Sequence, residues 1–145
     1  MRVFLDANVL FSASLLPHGN APRLMDIGRA GGCVLLSSTH AVREAERNVG
    51  RKTPQALSRL GQLIQSIDVV SDALPADAIV WAGSYGLPPK DAPILAAAVV
   101  ARADLLVTGD RRHFGQLFGS TLQGVRILSL TDGLAAVLAA LDTSA

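Results

Sequence analysis

Residues 2–6 read Arg-Val-Phe-Leu-Asp, and this stretch decides the fold class. Its β-branched and aromatic residues indicate a short buried strand, which ends in an acid followed by Ala-Asn-Val-Leu at 7–10. A carboxylate at the end of a buried strand costs free energy unless it is paired or binds a metal. Asp6 therefore marks the carboxyl end of this strand as the place to look for a functional site.

The rest of the chain continues as short apolar strands that alternate with helices. Strands are predicted at 33–36, 67–70, 105–108 and 125–128, and helices at 21–30, 40–49, 76–85, 91–102 and 131–141. Ser38 offers a hydroxyl cap for the helix after the second strand, which we expect to end near Gly50. Thr53, followed by Pro54, is expected to cap a further helix. The alternation predicts a three-layer α/β fold with a mainly parallel central sheet flanked by helices.

Length and composition limit the classes of protein that need to be considered. The 145 residues suit one domain over 1–145, and 50% hydrophobic against 17% charged residues excludes a disordered chain. The single cysteine, Cys33, and the lack of a leader predict a reducing, cytoplasmic setting. The apolar runs are too short for a membrane span. A net charge of +1 gives no global attraction to nucleic acid, so any such partner must be recognised locally.

Four carboxylates are expected at one edge of the sheet, because ligands of open parallel sheets bind outside the carboxyl ends of the strands. They are Asp6 after the first strand, Glu44 on the helix after the second, Asp91 at the start of the most apolar helix, and Asp110 after Thr108-Gly109. Converging like charges would raise one another's pKa values unless a divalent cation neutralised them. Oxygen ligands favour Mg²⁺ or Mn²⁺, and the matching chemistry is metal-assisted attack of water on a phosphodiester.

Each of these residues also has a structural interpretation. Asp91 suits the first turn of a helix and Asp110 suits an N-cap, while Glu44 sits among other charged residues and has Glu46 as a local rival. Asn8 also suits a helix cap, and the β-branched Thr108 suits packing alone. The basic residues 43, 47, 51 and 52 either contact phosphate or pair along the helix face. We also expect Trp81 and Tyr85 to pack together and Cys33 to be an inert core thiol.

Four pieces of the sequence resemble one family. Residues 4–10 are similar to an opening strand with an Asp-x-Asn-Val signature, and Ser38 with Glu44 is similar to a serine-led helix that carries an acid. Residues 91–98 look like an Asp-x-x-Ile-x-Ala-x-Ala helix, and residues 106–110 resemble a Leu-Val-Thr-x-Asp strand exit. In this order, from residue 3 to about residue 130, the chain resembles the PIN domain family. These metal-dependent ribonucleases include the VapC-type toxins of bacterial toxin–antitoxin pairs.

The resemblance implies a metal-dependent endoribonuclease, the toxin of a type II toxin–antitoxin pair, with RNA, a cognate antitoxin and a second copy of itself as partners. Its catalytic and Mg²⁺- or Mn²⁺-binding residues would be Asp6, Glu44, Asp91 and Asp110. Asn8 and Thr108 would support them, and Lys90, Arg111 and Arg112 would bind RNA phosphates. Many members carry a further acid or Asn after the last Asp, where this chain has Arg111, Arg112 and His113, so we expect one metal ion.

The competing hypothesis from another functional class is a PIN-like binding or regulatory protein without significant catalysis. Four retained carboxylates argue against it. A phosphatase of the phosphoaspartate type is also disfavoured, because it needs Asp-x-Asp on its first strand and the second position here is Asn8.

Overall fold

A computed structural model describes residues 1–144 and shows a six-stranded sheet flanked by helices. The strands are β1 (Arg2–Leu5), β2 (Val34–Ser38), β3 (Asp68–Val70), β4 (Leu105–Val107), β5 (Thr121–Leu122) and β6 (Val125–Leu128). Their order is β3-β2-β1-β4-β6-β5, and all neighbours are parallel except the β5–β6 pair. The predicted three-layer α/β fold with a mainly parallel sheet is confirmed.

Eight α-helices lie in the described part of the chain. They are α1 (Ala7–Leu15), α2 (Asn20–Arg29), α3 (Thr39–Lys52), α4 (Leu57–Ile64), α5 (Ala76–Gly83), α6 (Ala92–Val100), α7 (Arg111–Phe114) and α8 (Leu130–Ser144). Short 3₁₀ turns occupy Pro54–Ala56 and Gly115–Leu117. None of the helices in residues 1–144 combines the length and the apolar character needed to cross a bilayer.

The core explains why the central strands were easy to predict. β4 is buried along its whole length, and β1 is buried from Val3 to Leu5, so both appear in the sequence as continuous apolar runs. Trp81 and Tyr85 pack edge to face with ring centroids 5.3 Å apart, as expected. Cys33 is a buried free thiol, as expected.

The predicted end of α3 and the predicted start of α4 are wrong. α3 does not end near Gly50 but continues to Lys52, because Gly50 tolerates helical backbone and the actual stop is Pro54, which disfavours helical backbone at the residue before it. That residue, Thr53, has φ −150° and ψ 69°. Its side chain makes no capping hydrogen bond, and Pro54 begins a 3₁₀ turn that leads into α4 rather than the α-helix itself.

The sequence pattern did not predict α1. Its residues are apolar or small on every side, and five of the nine are buried, so the helix lacks the polar stripe that marks a surface helix. Its first residue directly follows Asp6, whose side chain caps it. The chain thus passes from β1 into the buried helix α1 at Asp6, where the sequence predicts a functional site.

Candidate active site

Two neighbouring strand ends form the base of the site. β1 and β4 pair in parallel with Leu5 opposite Val107, so the next residues, Asp6 and Thr108, come out side by side at the carboxyl edge of the sheet. The Thr108 hydroxyl donates to Asp6 Oδ2 at 2.8 Å, and Asp6 N donates to the Val107 carbonyl at 3.1 Å. Two apolar strands that each end in a polar residue therefore build a polar pair at the sheet edge.

Asp6 is the most deeply placed acid of the site, with 3% of its surface exposed. Its Oδ1 accepts from Ala7 N at 2.7 Å, which caps α1, and its Oδ2 also accepts from Asn8 Nδ2 at 3.2 Å. Burial raises the pKa of Asp6 to about 6. The hydrogen bonds from Thr108 and Ala7 lower that pKa, and the negative charges of Glu44 and Asp91 raise it further.

Asn8 and Thr108 link the two strand ends into one hydrogen-bonded unit. The Asn8 side chain donates to Thr108 Oγ1 at 3.2 Å and accepts from Gly109 N at 2.7 Å. Thr108 Oγ1 also accepts from Asp110 N at 3.1 Å, and the residue is completely buried. Asn8 is therefore not the cap of α1, and Thr108 does more than pack. Together they orient Asp6 and fix the backbone that leads to Asp110.

Asp110 and Asp91 meet at a histidine. Asp110 caps the short helix α7, as one interpretation of the sequence expected, because its Oδ1 accepts from His113 N at 3.0 Å. Its Oδ2 lies 2.8 Å from His113 Nδ1, and Asp91 Oδ2 lies 3.0 Å from the same nitrogen. A single Nδ1–H serves only one of two carboxylates well, and it serves Asp110. Asp91 Oδ2 is left buried without a hydrogen bond.

Asp91 does not act as the helix-capping acid that its position suggests, because its side chain makes no capping hydrogen bond with α6. Burial raises its pKa, His113 and Lys90 lower it, and Asp110 and Glu44 raise it. The pKa values of Asp6 and Asp91 are raised as expected, but repulsion from the neighbouring acids is a smaller cause than burial. Desolvation is the largest cause of the raised pKa in both residues, because both side chains are almost fully removed from water.

Glu44 completes a set of four carboxylates around one pocket. The pocket has a volume of about 180 Å³ and is lined by Asp6, Ala7, Asn8, Phe11, Glu44, Asn48, Lys52, Lys90, Asp91 and Asp110. Glu46 is exposed and does not line it, because two residues along a helix turn the side chain about 200° away. The structure thus brings Asp6, Glu44, Asp91 and Asp110 together.

The basic residues predicted beside the acids divide into two groups. Lys90 lines the pocket, whereas Arg111 and Arg112 are exposed on α7 and do not line it. On α3, Arg43 pairs with Asp72 at 3.6 Å, and only Lys52 among the four basic residues of that helix reaches the pocket.

The donor set fits a hard divalent cation. Oxygens of Asp91 and Asp110 and a ring nitrogen of His113 lie within 4.8 Å of one another, and the buried Asp91 Oδ2 is an acceptor without a hydrogen bond. Carboxylate oxygens are the ligands that Mg²⁺ and Mn²⁺ prefer. Sequence reasoning did not assign His113 to the metal site. Its position three residues after Asp110, where a cap accepts the backbone N–H, was the available signal.

Residues 2–112 match the sequence profile of the PIN domain, and the chain belongs to this family. Known structures share its fold. PAE2754 from Pyrobaculum aerophilum has a TM-score of 0.67 and 20% identity, with 96% of each chain covered. VapBC2 from Rickettsia felis, bound to a promoter DNA fragment, has a TM-score of 0.65 and 16% identity, covering 89% of this chain and 98% of that one.

A third similar structure is that of a toxin with a stated target. VapC20 from Mycobacterium tuberculosis, a toxin that cleaves the sarcin-ricin loop, has a TM-score of 0.59 and 11% identity, covering 83% of this chain and 97% of that chain. A search of curated proteins found no match to the sequence.

Proposed function

We propose that the protein is a metal-dependent endoribonuclease that hydrolyses RNA phosphodiester bonds and acts in the cytoplasm as the toxin of a type II toxin–antitoxin pair. One observation carries the catalytic part of this proposal. Four carboxylates from separate elements surround one pocket, and a buried oxygen of Asp91 has no hydrogen bond there. Buried acids whose charge is only partly compensated are costly, and Asp91 and Asp110 share one histidine, so this arrangement favours a cation as an additional partner.

Asp6, Asp91 and Asp110 would hold a Mg²⁺ or Mn²⁺ ion, directly or through water. When bound, such an ion screens the charge that develops on the phosphorus centre and makes a neighbouring water easier to deprotonate. Glu44 lines the same pocket and makes no hydrogen bond or ion pair with residues 1–144, so its carboxylate is free to orient that water and accept its proton. Asn8 and Thr108 keep Asp6 in place through the contacts described above.

Lys90 would bind an RNA phosphate at the pocket itself, and Arg111 and Arg112 would do so on the adjoining surface of α7. Replacing either arginine with alanine should weaken RNA binding and flatten its salt dependence. The toxin role draws on the similar structures, which include VapBC2 and a toxin that cleaves the sarcin-ricin loop. A cognate antitoxin and a homodimer stay predictions that co-purification and light scattering would test.

Cleavage of labelled RNA by the purified protein tests the proposal. We expect turnover with Mg²⁺ or Mn²⁺, none in EDTA, and a loss of at least about 100-fold in Asp91→Asn. Asp77→Asn is the matched control, because it removes the same charge from an exposed position on α5. Full activity in EDTA, or equal activity of the two variants, would reject the metal-dependent site, and no turnover with either metal would leave the binding protein as the function to pursue.

A further inference from the structure

One face of α3 carries four polar residues at four-residue spacing. Glu44, Asn48 and Lys52 lie on one side of the helix and line the pocket, and His40 lies one turn before them. His40 Nε2 lies 2.9 Å from the Lys90 carbonyl, which places Lys90 beside the first turn of α3. The pocket therefore continues along the helix from Lys90, past the carboxylates, to Lys52.

We propose that this face of α3 is the floor of a binding groove for a single RNA strand, with Lys52 contacting a phosphate several nucleotides from the one that is cleaved. The proposal rests on the nuclease function proposed above and extends its site. Eight residues separate Glu44 from Lys52, so the helix carries the groove over about 12 Å. A stacked strand covers that length with about three to four nucleotides.

The side chains of the groove are free to bind a ligand. Glu44, Asn48 and Lys52 make no hydrogen bond or ion pair within the part of the chain that the structure describes, although Arg43 on the same helix is paired with Asp72. Asn48 is half-buried, and its amide offers both donors and an acceptor, as recognition of a base edge requires. Polar groups that face a pocket without partners favour a polar ligand there.

Phe11 on α1 keeps Lys52 at the groove. The Lys52 ammonium lies 5.3 Å from the centroid of the Phe11 ring, within the range of a cation–π contact, and both residues line the pocket. Such a contact restrains a flexible side chain without neutralising its charge. Lys52 therefore presents a positioned, unpaired positive charge, which suits a phosphate.

The arrangement of charge favours a strand over a small molecule. Lys90 and Lys52 stand at the two ends of the groove, and the carboxylates lie between them. A matching ligand therefore needs several anionic groups along its length. A cation would hold its middle anionic group next to the carboxylates.

A simpler role for Lys52 is to complement the helix dipole at the C-terminal end of α3. Arg51 distinguishes this role from phosphate binding. Both residues belong to the last turn of α3, both are exposed, and alanine removes the same charge from each. Only Lys52 lines the pocket. Arg51→Ala is therefore the matched control for Lys52→Ala.

The experiment is fluorescence anisotropy with labelled oligouridylates of two and eight nucleotides at several salt concentrations, in Ca²⁺ so that the carboxylates have a cation, and each probe is checked afterwards for cleavage. For the long probe we expect Lys52→Ala to raise Kd about five- to tenfold and to reduce the slope of log K against log salt by about 0.7, the contribution of one phosphate. The short probe should bind Lys52→Ala and wild type alike. Arg51→Ala should stay within about twofold of wild type.

Three results would each overturn the groove. They are an equal loss of affinity in Lys52→Ala and Arg51→Ala, an equal loss of affinity of Lys52→Ala for both probes, and no binding of the long probe by the wild-type protein. Tighter binding of a polyglutamate peptide than of the long probe would overturn it as well, in favour of an acidic protein segment. Lys52→Gln, which keeps a long polar side chain but removes the charge, replaces Lys52→Ala if thermal unfolding shows that the latter is misfolded. If binding of the long probe depends on Lys52 but RNA is not cleaved, only the nuclease proposal is rejected. If RNA is cleaved and Lys52→Ala has no effect on cleavage, only the groove proposal is rejected.

Discussion

At the scale of single residues, Asp6 combines two roles that conflict in a metal-free protein. It caps α1 and accepts hydrogen bonds from Asn8 and Thr108, yet burial raises its pKa from 3.8 to about 6. The folded protein therefore binds this proton more tightly than the unfolded chain does. The resulting stabilisation is fully present below about pH 3.8 and is lost as the pH rises through about 6.

Asp6→Asn should consequently stabilise the metal-free protein at neutral pH. The pKa difference corresponds to about 3 kcal/mol at most, and we expect about 1–2 kcal/mol because the asparagine amide loses part of the hydrogen bonding of the carboxylate. The gain should disappear at pH 4, where Asp6 is protonated in the folded state. Urea unfolding in EDTA at pH 4 and pH 7.5 measures it, with the exposed Asp77→Asn as control. A gain of the same size at both pH values would contradict the assigned cause.

The residues of the site differ in how visible they are in the sequence. Asp6 and Asp110 follow apolar strands directly, so their place at the carboxyl edge follows from the period of the strands. The strand pattern does not indicate that Asn48 and Lys52 reach the pocket, because their position there depends on the orientation of α3 relative to α1. The contact of His113 with Asp91 likewise joins residues on separate elements and has no local signature.

At the scale of elements, the central strands were predictable and α1 was not, for the same reason; the two-residue strand β5 and the short helix α7 were not predicted either. Burial on both faces turns a parallel strand into an apolar run, which is conspicuous, but burial on all sides removes the polar stripe of a helix. The end of α3 depended on which of two breakers acts, Gly50 or Pro54. Proline prevails because it restricts the backbone before it, whereas glycine only weakens a helix.

Close packing of α8 on β4 gives a second prediction at this scale. A β-carbon at Gly133 would lie 2.6 Å from Val107 Cγ2, a rigid β-branched side chain in the fully buried strand that leads to Thr108. Gly133→Ala should therefore destabilise the protein by about 1–3 kcal/mol.

Gly61 provides the opposite case, because it lies inside α4 and has open space where its β-carbon would be. Gly61→Ala should stabilise the protein by about 0.5–1 kcal/mol, since alanine loses less backbone entropy in a helix. Chemical unfolding of the two variants checks both signs. A stabilised Gly133→Ala would show that α8 sits further from the sheet than the structure has it.

At the scale of the whole molecule, the site exists only when the chain is folded. Its carboxylates come from the end of β1, the middle of α3, the start of α6 and the residue after Gly109, far apart in sequence. The overall charge of +1 gives no hint of this local concentration of acids. An unfolded chain cannot offer the same cluster to a cation, so binding should act almost entirely on the folded state.

A divalent cation should consequently raise the midpoint of thermal unfolding at neutral pH. At a concentration 100 times its Kd, a ligand of the folded state alone adds about 2.7 kcal/mol, which for a chain of this size corresponds to roughly 5–10 °C. Mg²⁺ and Mn²⁺ salts should give this shift over KCl of equal ionic strength, and the shift should shrink strongly in Asp91→Asn. The effect should fade below about pH 5, because Asp6 and Asp91, whose pKa values are raised, then take up protons that compete with the cation. Scanning calorimetry of both proteins checks this, and an equal shift in Asp91→Asn would mean that the cation binds elsewhere.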